Sequence, residues 1–224
     1  MILAAISAMH GRHAISAAWI EHTASLGFDD ICVAVSEDDE MSICLCDVMG
    51  IRHAIMPNDP LGEKFNAALS MTDADRIMIL PSDDFASKAW VHAARTHEAD
   101  YLYPHCCGTV CAETGNAYVI EKLSFGTMRY GAGRVVSRKI IDKLGGKLWP
   151  DNLGRGLDGA SHQRIIRAGF PITVVKTEGI PITDVKTSEN LWPFATWKGS
   201  GREIKKEEAL HMVNFDVYSQ LFPR

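Results

Sequence analysis

The chain has 224 residues, of which 46% are hydrophobic, and this is enough to bury a substantial core within one domain. Its formal net charge is −5 and its pI about 6.0, which gives no general electrostatic reason to expect nucleic acid or an anionic membrane as a partner. No stretch approaches the roughly 18 continuous apolar residues that a membrane span needs.

The first run, Met1 to Ile6, is mildly apolar and lacks a basic flank. It leads into His10, Arg12 and His13, so it reads as a first strand rather than a secretory signal, and a soluble, cytoplasmic protein is expected. Apolar, β-rich runs recur at 2–8, 31–35, 53–56, 76–80, 116–120 and 171–176. Ala14 to Ile20 and Lys64 to Met71 carry apolar residues at helical spacing between the first four runs. Strands alternating with helices predict an α/β fold, a Rossmann-like and mostly parallel sheet flanked by helices. Pro57, Asn58, Asp59, Pro60 and Gly62 mark a loop into the helix at 64–71. Beyond residue 100 the pattern predicts one strong helix at about 134–144, a loop from Leu148 to Gly159, and a helix from Ser161 to Ala168. The six cysteines (32, 44, 46, 106, 107, 111) form no CxxC pair. Cys106, Cys107 and Cys111 with His105 lack the two separated ligand pairs of a zinc site, and read as free thiols of a reducing compartment.

The densest signal is Asn66-Ala67-Ala68-Leu69, then the apolar run ending at Leu80, then Pro81-Ser82-Asp83-Asp84. It places two adjacent carboxylates at the carboxyl end of a buried strand, where open α/β sheets bind ligands. Such a pair suits hard Mg²⁺ or Mn²⁺. The same tripeptide Ser82-Asp83-Asp84 also reads as the N-cap of a following helix. A second signal runs through Gly131-Ala132-Gly133-Arg134, Leu144-Gly145-Gly146, Leu157-Asp158 and Arg164 to Gly169.

In order and spacing these two stretches, spanning roughly 60–175, resemble the GT-A nucleotide-sugar glycosyltransferases, most closely the inverting family 2, including small soluble viral members. The resemblance implies a single catalytic domain at 1–177, with a nucleotide-binding half at 1–100 and an acceptor half at 101–177. Residues 178–224 would pack on the donor site or close over it as a lid-like segment. It implies transfer of a sugar from a nucleoside-diphosphate donor to an acceptor hydroxyl, with Mn²⁺ or Mg²⁺ on Asp83 and with Asp84 adjoining. The cation would act as a Lewis acid on the leaving diphosphate. Pro81 stands where the family has the first Asp of its metal motif, and cannot accept a hydrogen bond from ribose or water.

Asp158 matches the Asp of the family's Glu-Asp element, with Leu157 in place of the Glu, and is the expected general base. Its alternative role is an N-cap, and His162 is the second candidate base. Ser7, His10 and Arg12 after the first strand, Asp38 and Asp39 after the second, and Lys64, Ser82, Asp83 and Lys186 are the expected donor contacts. Asp38 and Asp39 read equally as a solvated acidic loop, and Arg12 alternatively as a surface charge. Asp184 is a further candidate on the closing segment. Trp192 and Trp197 could stack on a sugar or base, Phe194 reads as packing, and Gly199-Ser200-Gly201 reads as a hinge. The acceptor is open among a glycan, a small molecule and a hydroxymethylated DNA base. The last is suggested by the basic run Arg129, Arg134, Arg138, Lys139, Lys143 and Lys147, which alternatively is a solvated helix face. Two rivals remain, a sugar-phosphate nucleotidyltransferase and an inactive nucleotide-binding scaffold. The first lacks a Gly-rich basic loop after strand one; the second is favoured by Pro81.

Overall fold

The computed structural model describes residues 1–121, 131–187, 194 and 201–204. The chain first alternates strand and helix through β1 (Leu3–Met9), α1 (His13–Ser25), β2 (Asp30–Ser36), α2 (Glu40–Val48), β3 (Arg52–Met56), α3 (Leu61–Ser70) and β4 (Arg76–Ile79). It continues through β5 (Asp84–Ala86), α4 (Lys88–Thr96), β6 (Tyr101–Pro104), β7 (Cys107–Cys111) and β8 (Ala117–Ile120). The remaining elements are β9 (Val135–Ser137), α5 (Arg138–Lys143), α6 (Leu157–Arg167), β10 (Thr173–Val175), β11 (Ile182–Lys186) and β12 (Arg202–Ile204).

Seven strands form one sheet in the order β10-β6-β9-β4-β1-β2-β3. All its pairings are parallel except those of β9, which runs antiparallel between β4 and β6. The expected mixed, mostly parallel α/β sheet flanked by helices is therefore present in a single domain. Parallel sheets are covered on both faces, and successive side chains of a strand point to opposite faces. The core divides accordingly. Leu3, Ala5, Met9, Val33, Val35 and Met78 pack with Trp19 of α1 and Trp90 of α4. Ile6, Cys32, Ala34, Ile77 and Ile79 pack with Phe65 and Leu69 of α3, Ile140 and Ile141 of α5 and Ile165 of α6. This two-sided burial is why these strands read as continuous apolar runs in the sequence.

A second sheet, β12-β8-β7-β11-β5, adjoins the carboxyl ends of the first. Within it β11 lies between β7, to which it is parallel, and the edge strand β5, to which it is antiparallel. The front of the 178–224 segment is thus a strand built into a sheet.

The structure corrects two sequence expectations here. The helix expected at 134–144 begins only at Arg138, because Val135, Val136 and Ser137 fill the gap between β4 and β6 as a strand. Ser82-Asp83-Asp84 caps no helix. Asp84 starts β5, and the helix that follows is capped by Ser87, whose hydroxyl accepts from the Trp90 N–H at 3.1 Å. The expected roles of Trp192, Trp197, Gly199 and Ser200 lie outside the described residues.

Candidate active site

β4 lies beside β1 at the centre of the main sheet, and its pairing continues one residue further, where the Leu80 N–H donates to the Ile6 carbonyl. Pro81 then turns the chain, with its carbonyl accepting from the Asp84 N–H at 2.9 Å. The turn is held from the second sheet as well. The Val185 N–H donates to the Asp83 carbonyl at 2.8 Å, and Asp84 sits opposite Asp184 in the β5–β11 register. Backbone pairing therefore gathers Asp83, Asp84, Asp184 and Lys186 at one strand end, all of them buried.

The Asp83 carboxylate faces two cations, the Arg12 guanidinium at 3.0 Å and the Lys186 ammonium at 3.6 Å. Arg12 also donates to the Ser82 hydroxyl at 3.0 Å. Burial alone would raise the pKa of Asp83; Arg12 and Lys186 outweigh it and hold the group ionised below its ordinary value. Lys186 also pairs with Asp184 at 2.7 Å. Burial opposes its charge, but Asp184, Asp83 and Asp84 together raise its pKa. Asp84 has the opposite fate. Burial first, then the charges of Asp184, Asp83 and Asp158, push its pKa well above the ordinary range, and its buried Oδ1 has no partner among the described residues.

Arg12 reaches Asp83 because the turn leaving β1 is left-handed at two successive residues, Gly11 (φ 59°) and Arg12 (φ 49°). A left-handed backbone is costly for a residue with a Cβ and persists only where surrounding contacts fix it. Asp39 supplies them. Its carboxylate accepts from the Gly11 N–H at 2.7 Å and meets His13 Nε2 at 2.9 Å, while capping α2 through the Ser42 N–H at 3.1 Å. Burial would raise its pKa, but the bonds from Ser42, His13 and Gly11 lower it to about 2.

Asp39 is therefore engaged by protein donors and buried, in place of the expected donor contact. Lys64 is likewise a staple. It is 1% exposed and donates to the Met9 carbonyl (2.6 Å), Ser36 Oγ (2.5 Å) and Asn58 Oδ1 (3.2 Å), tying the ends of β1 and β2 to the loop before α3. Desolvation lowers its pKa to about 8, with Asp39 and Asp38 opposing. Ser7 is fully buried within β1. Asp39, Lys64 and Ser7 are thus all buried, the first two with protein partners. His10 and Asp38 reach the surface, at 46% and 66% side-chain exposure and 3.6 Å apart. An open cleft of about 760 Å³ runs along this edge, lined by His10, Gly11, Arg12, His13, Glu113 and Thr187 among others.

Asp158 arrives from a distant part of the chain. α3 carries Asn66, whose amide donates to the Trp149 carbonyl (2.8 Å) and to Asp151 (3.0 Å), pinning the loop that leads to α6. Gly156 is the N-cap of α6, so Asp158 is not the cap; its side chain turns instead to Arg134 at 3.3 Å and to the Gly131 N–H. About half of that side chain, 49%, stays exposed. Desolvation by the surrounding protein raises its pKa, with Arg134, the Gly131 N–H and Lys186 pulling it back. His162, one turn further along α6, meets the Tyr101 hydroxyl through Nδ1 at 3.3 Å.

The basic run disperses. Arg134 is buried against Asp158, Arg138 donates to the Ala74 and Thr72 carbonyls, Lys139 pairs with Asp100 and Lys147 with Asp151. Arg129 lies outside the described residues. Lys139, Lys143 and Lys147 stay exposed at the surface, while Arg138 is half-buried and Arg134 is buried. Phe194 packs on Tyr118, ring centroids 5.3 Å apart. Arg134's attachment to Asp158 was hidden in the sequence, since 24 residues separate them.

This arrangement, acidic residues at the carboxyl end of the central strand with a second sheet beside it, defines the fold class: it is that of GT-A glycosyltransferases. Among solved structures, the chain is similar to S. aureus TarS 1–349 in complex with UDP-GlcNAc, with TM-score 0.57 and 14% identity over 88% of this chain and 64% of that one. It is similar also to glucosyl-3-phosphoglycerate synthase from Mycobacterium tuberculosis in complex with Mn²⁺, UDP and glucosyl-3-phosphoglycerate, with TM-score 0.56 and 15% identity over 78% and 69% of the two chains. Another structure of that synthase holds Mg²⁺ and UDP. The chain spans less than two thirds of the length of the TarS 1–349 structures it matches. No family model matches the chain, and no curated protein does.

Proposed function

We propose that this chain transfers a sugar from a nucleoside-diphosphate donor to an acceptor hydroxyl. The observation that carries the proposal is the gathering of Asp83, Asp84, Asp184 and Lys186 at the carboxyl end of the central strand, with the Asp83 carboxylate 3.0 Å from Arg12. Lys186 lies 3.6 Å from Asp83 and also bears electrostatically on Asp158. In this reading Asp83 and Asp84 serve the leaving diphosphate and Asp158 serves the attacking hydroxyl. The UDP, UDP-GlcNAc and metal complexes of the structural neighbours support the same reading of the donor.

In the proposed reaction Asp158 accepts the proton of the acceptor hydroxyl as that oxygen bonds to the anomeric carbon. The bond from that carbon to the diphosphate oxygen breaks, and the nucleoside diphosphate leaves with the electron pair. A single displacement of this kind inverts the anomeric centre. Desolvation raises the pKa of Asp158 above the ordinary carboxylate value, which makes it a stronger base than a free carboxylate. Arg12 and Lys186 face the strand end with N–H donors and stabilise negative charge developing there.

The donor set fits a divalent cation. Asp83 and Asp84 offer hard carboxylate oxygens, and the buried Asp84 Oδ1 lacks a partner among the described residues. Among the described residues no three His, Cys, Asp or Glu side chains are arranged to hold an ion. That agrees with the way Mg²⁺ usually binds in phosphate-transfer sites, through one or two carboxylates completed by substrate phosphates. Asp83, with Asp84 beside it, would hold the ion, which supplies neutralising charge to the leaving diphosphate. The acceptor is proposed to be a hydroxyl of a glycan, of a small molecule or of a hydroxymethylated DNA base.

A thermal-shift screen of nucleoside diphosphates and their sugars, each with and without Mn²⁺, tests the donor site. A ligand at a hundred times its Kd stabilises by about 2.7 kcal/mol, a readily seen shift. A metal-enhanced shift with one nucleotide is expected. No shift with any nucleotide would overturn the proposal.

A further inference from the structure

Among the described residues Arg134 is a fully buried arginine that joins the turn before β9 to β6 and to the start of α6, where Asp158 lies. Arg134 is 1% exposed. Its Nε donates to the Gly131 carbonyl at 3.0 Å, Nη1 to the Tyr101 hydroxyl and the Asp158 carbonyl, each at 3.3 Å, and Nη2 to Asp158 Oδ1 at 3.3 Å. Gly131 closes the ring from the other side, since its N–H donates to the Asp158 side chain. The carboxylate lies so close over Gly131 that a Cβ there would stand 1.7 Å from Oδ1 and 2.2 Å from Cγ. Only glycine fits beneath it.

A lone arginine taken out of water costs several kcal/mol unless its charge is paired and its donors are satisfied. Four hydrogen bonds from one guanidinium, to its own turn at Gly131, to Tyr101 of β6 and to Asp158 of α6, meet that requirement, and they also fix those segments against one another. Lysine, with a single ammonium, cannot span the same set of acceptors in one plane.

We propose that Arg134 is the positioning residue of the base: its guanidinium pairs with the Asp158 carboxylate and orients it over Gly131. This rests on Asp158 being the base in the reaction proposed above. The groups facing Asp158 come from every neighbouring element. Arg134 precedes β9, Tyr101 and Tyr103 project from β6, Lys186 from β11, Asp84 from β5, and His162 lies one turn on along α6. Of these, Lys186 is already paired with Asp184 and Asp83, and Asp84 only adds negative charge. Arg134 is the cation in hydrogen-bonding contact with the carboxylate, and the first of the influences opposing its desolvation.

The experiment compares wild type, Arg134→Lys and Arg134→Met in two measurements. The first is the pH profile of transfer, with UDP affinity measured alongside. The second is an NMR titration of the Asp158 carboxyl in the unliganded protein, assigned by its loss in Asp158→Asn. An opposite charge within about 4–6 Å lowers a carboxyl pKa by about 1–3 units. Arg134→Met is therefore expected to move both the acid limb of the profile and the Asp158 titration up by about one unit or more. On the acid limb kcat should fall about tenfold and recover in part as pH rises, with UDP affinity unchanged. Arg134→Lys should fall between the two, and it serves alone if the Met variant does not fold. An unmoved Asp158 titration in a folded variant overturns the proposal. If the titration moves but wild type transfers no sugar, the positioning stands and the reaction assigned to the site fails.

Discussion

At Asp158, two influences of opposite sign act on one carboxylate: desolvation raises its pKa, and Arg134 with the Gly131 N–H restrains the rise. Its proposed role predicts that Asp158→Asn abolishes transfer while sparing donor binding, because the amide keeps the shape and can still accept from Arg134 but takes no proton. A positioned general base contributes about 10²–10⁴-fold, so kcat should fall by at least the lower figure, with UDP affinity by calorimetry unchanged. Near-normal turnover would remove Asp158 from the mechanism. Asp39 illustrates a carboxylate of the same neighbourhood given to structure instead. Its folded pKa is about 2 against a reference of 3.8, so its contribution is present above the unfolded value and is lost as pH falls through the folded one. The shift corresponds to about 2 kcal/mol for this buried group. Urea unfolding of wild type and Asp39→Asn should differ by about that much at pH 6, and the difference should shrink steadily between about pH 4 and pH 2.

Among the elements, those legible in the sequence were those buried on both faces. β1, β2 and β4 read as continuous apolar runs because helices cover the sheet on either side. α2, with Asp39 as its cap, went unread, since Glu40 to Val48 buries only Ser42 and Cys46 and leaves no apolar stripe. β5 and β9 are three residues each, too short for a period of two to register, and their place is set by partners far away in sequence. Val135 and Val136 were consequently joined to the helix beyond them. The same long-range pairing hid the capture of Asp39 and Lys64 by backbone and side chains of the strand ends, where the sequence offered only charged residues after strands. Gly133, just before β9, makes such a contact testable. Its φ is +72°, and a Cβ there would stand 2.2 Å from Ile182 of β11, which is fully buried. Gly145 has a similar φ of +77° with nothing within 4 Å. Both alanine variants incur the left-handed backbone cost of about 1–2 kcal/mol. Gly133→Ala adds overpacking of about 1–3 kcal/mol, so its urea midpoint should fall clearly below that of Gly145→Ala. Equal midpoints would mean that β11 yields to the added methyl.

Over the whole molecule, the two sheets meet where charge is concentrated. The main sheet brings Asp83 and, through the turn after β1, Arg12; the second sheet brings Asp84, Asp184 and Lys186. Within this group Arg12 and Lys186 balance Asp83 and Asp184, while Asp84 is held toward its neutral form by the negative charges around it. A divalent cation and an anionic diphosphate change that balance together: the ion favours both acidic side chains in their ionised form, and the diphosphate offers Arg12 and Lys186 a second anionic partner. Each should therefore bind better in the presence of the other, and such coupling is reciprocal by linkage. The prediction is that Mn²⁺ raises UDP affinity and UDP raises Mn²⁺ affinity by the same factor, measured by calorimetry in both orders. Asp83→Ala should remove the coupling, because the cation loses its ligand and Arg12 and Lys186 lose the carboxylate that holds them at the strand end. UDP binding equally tight with and without Mn²⁺ in wild type would leave diphosphate recognition to Arg12 and Lys186 alone. Asp83 would then act by orienting those two cations.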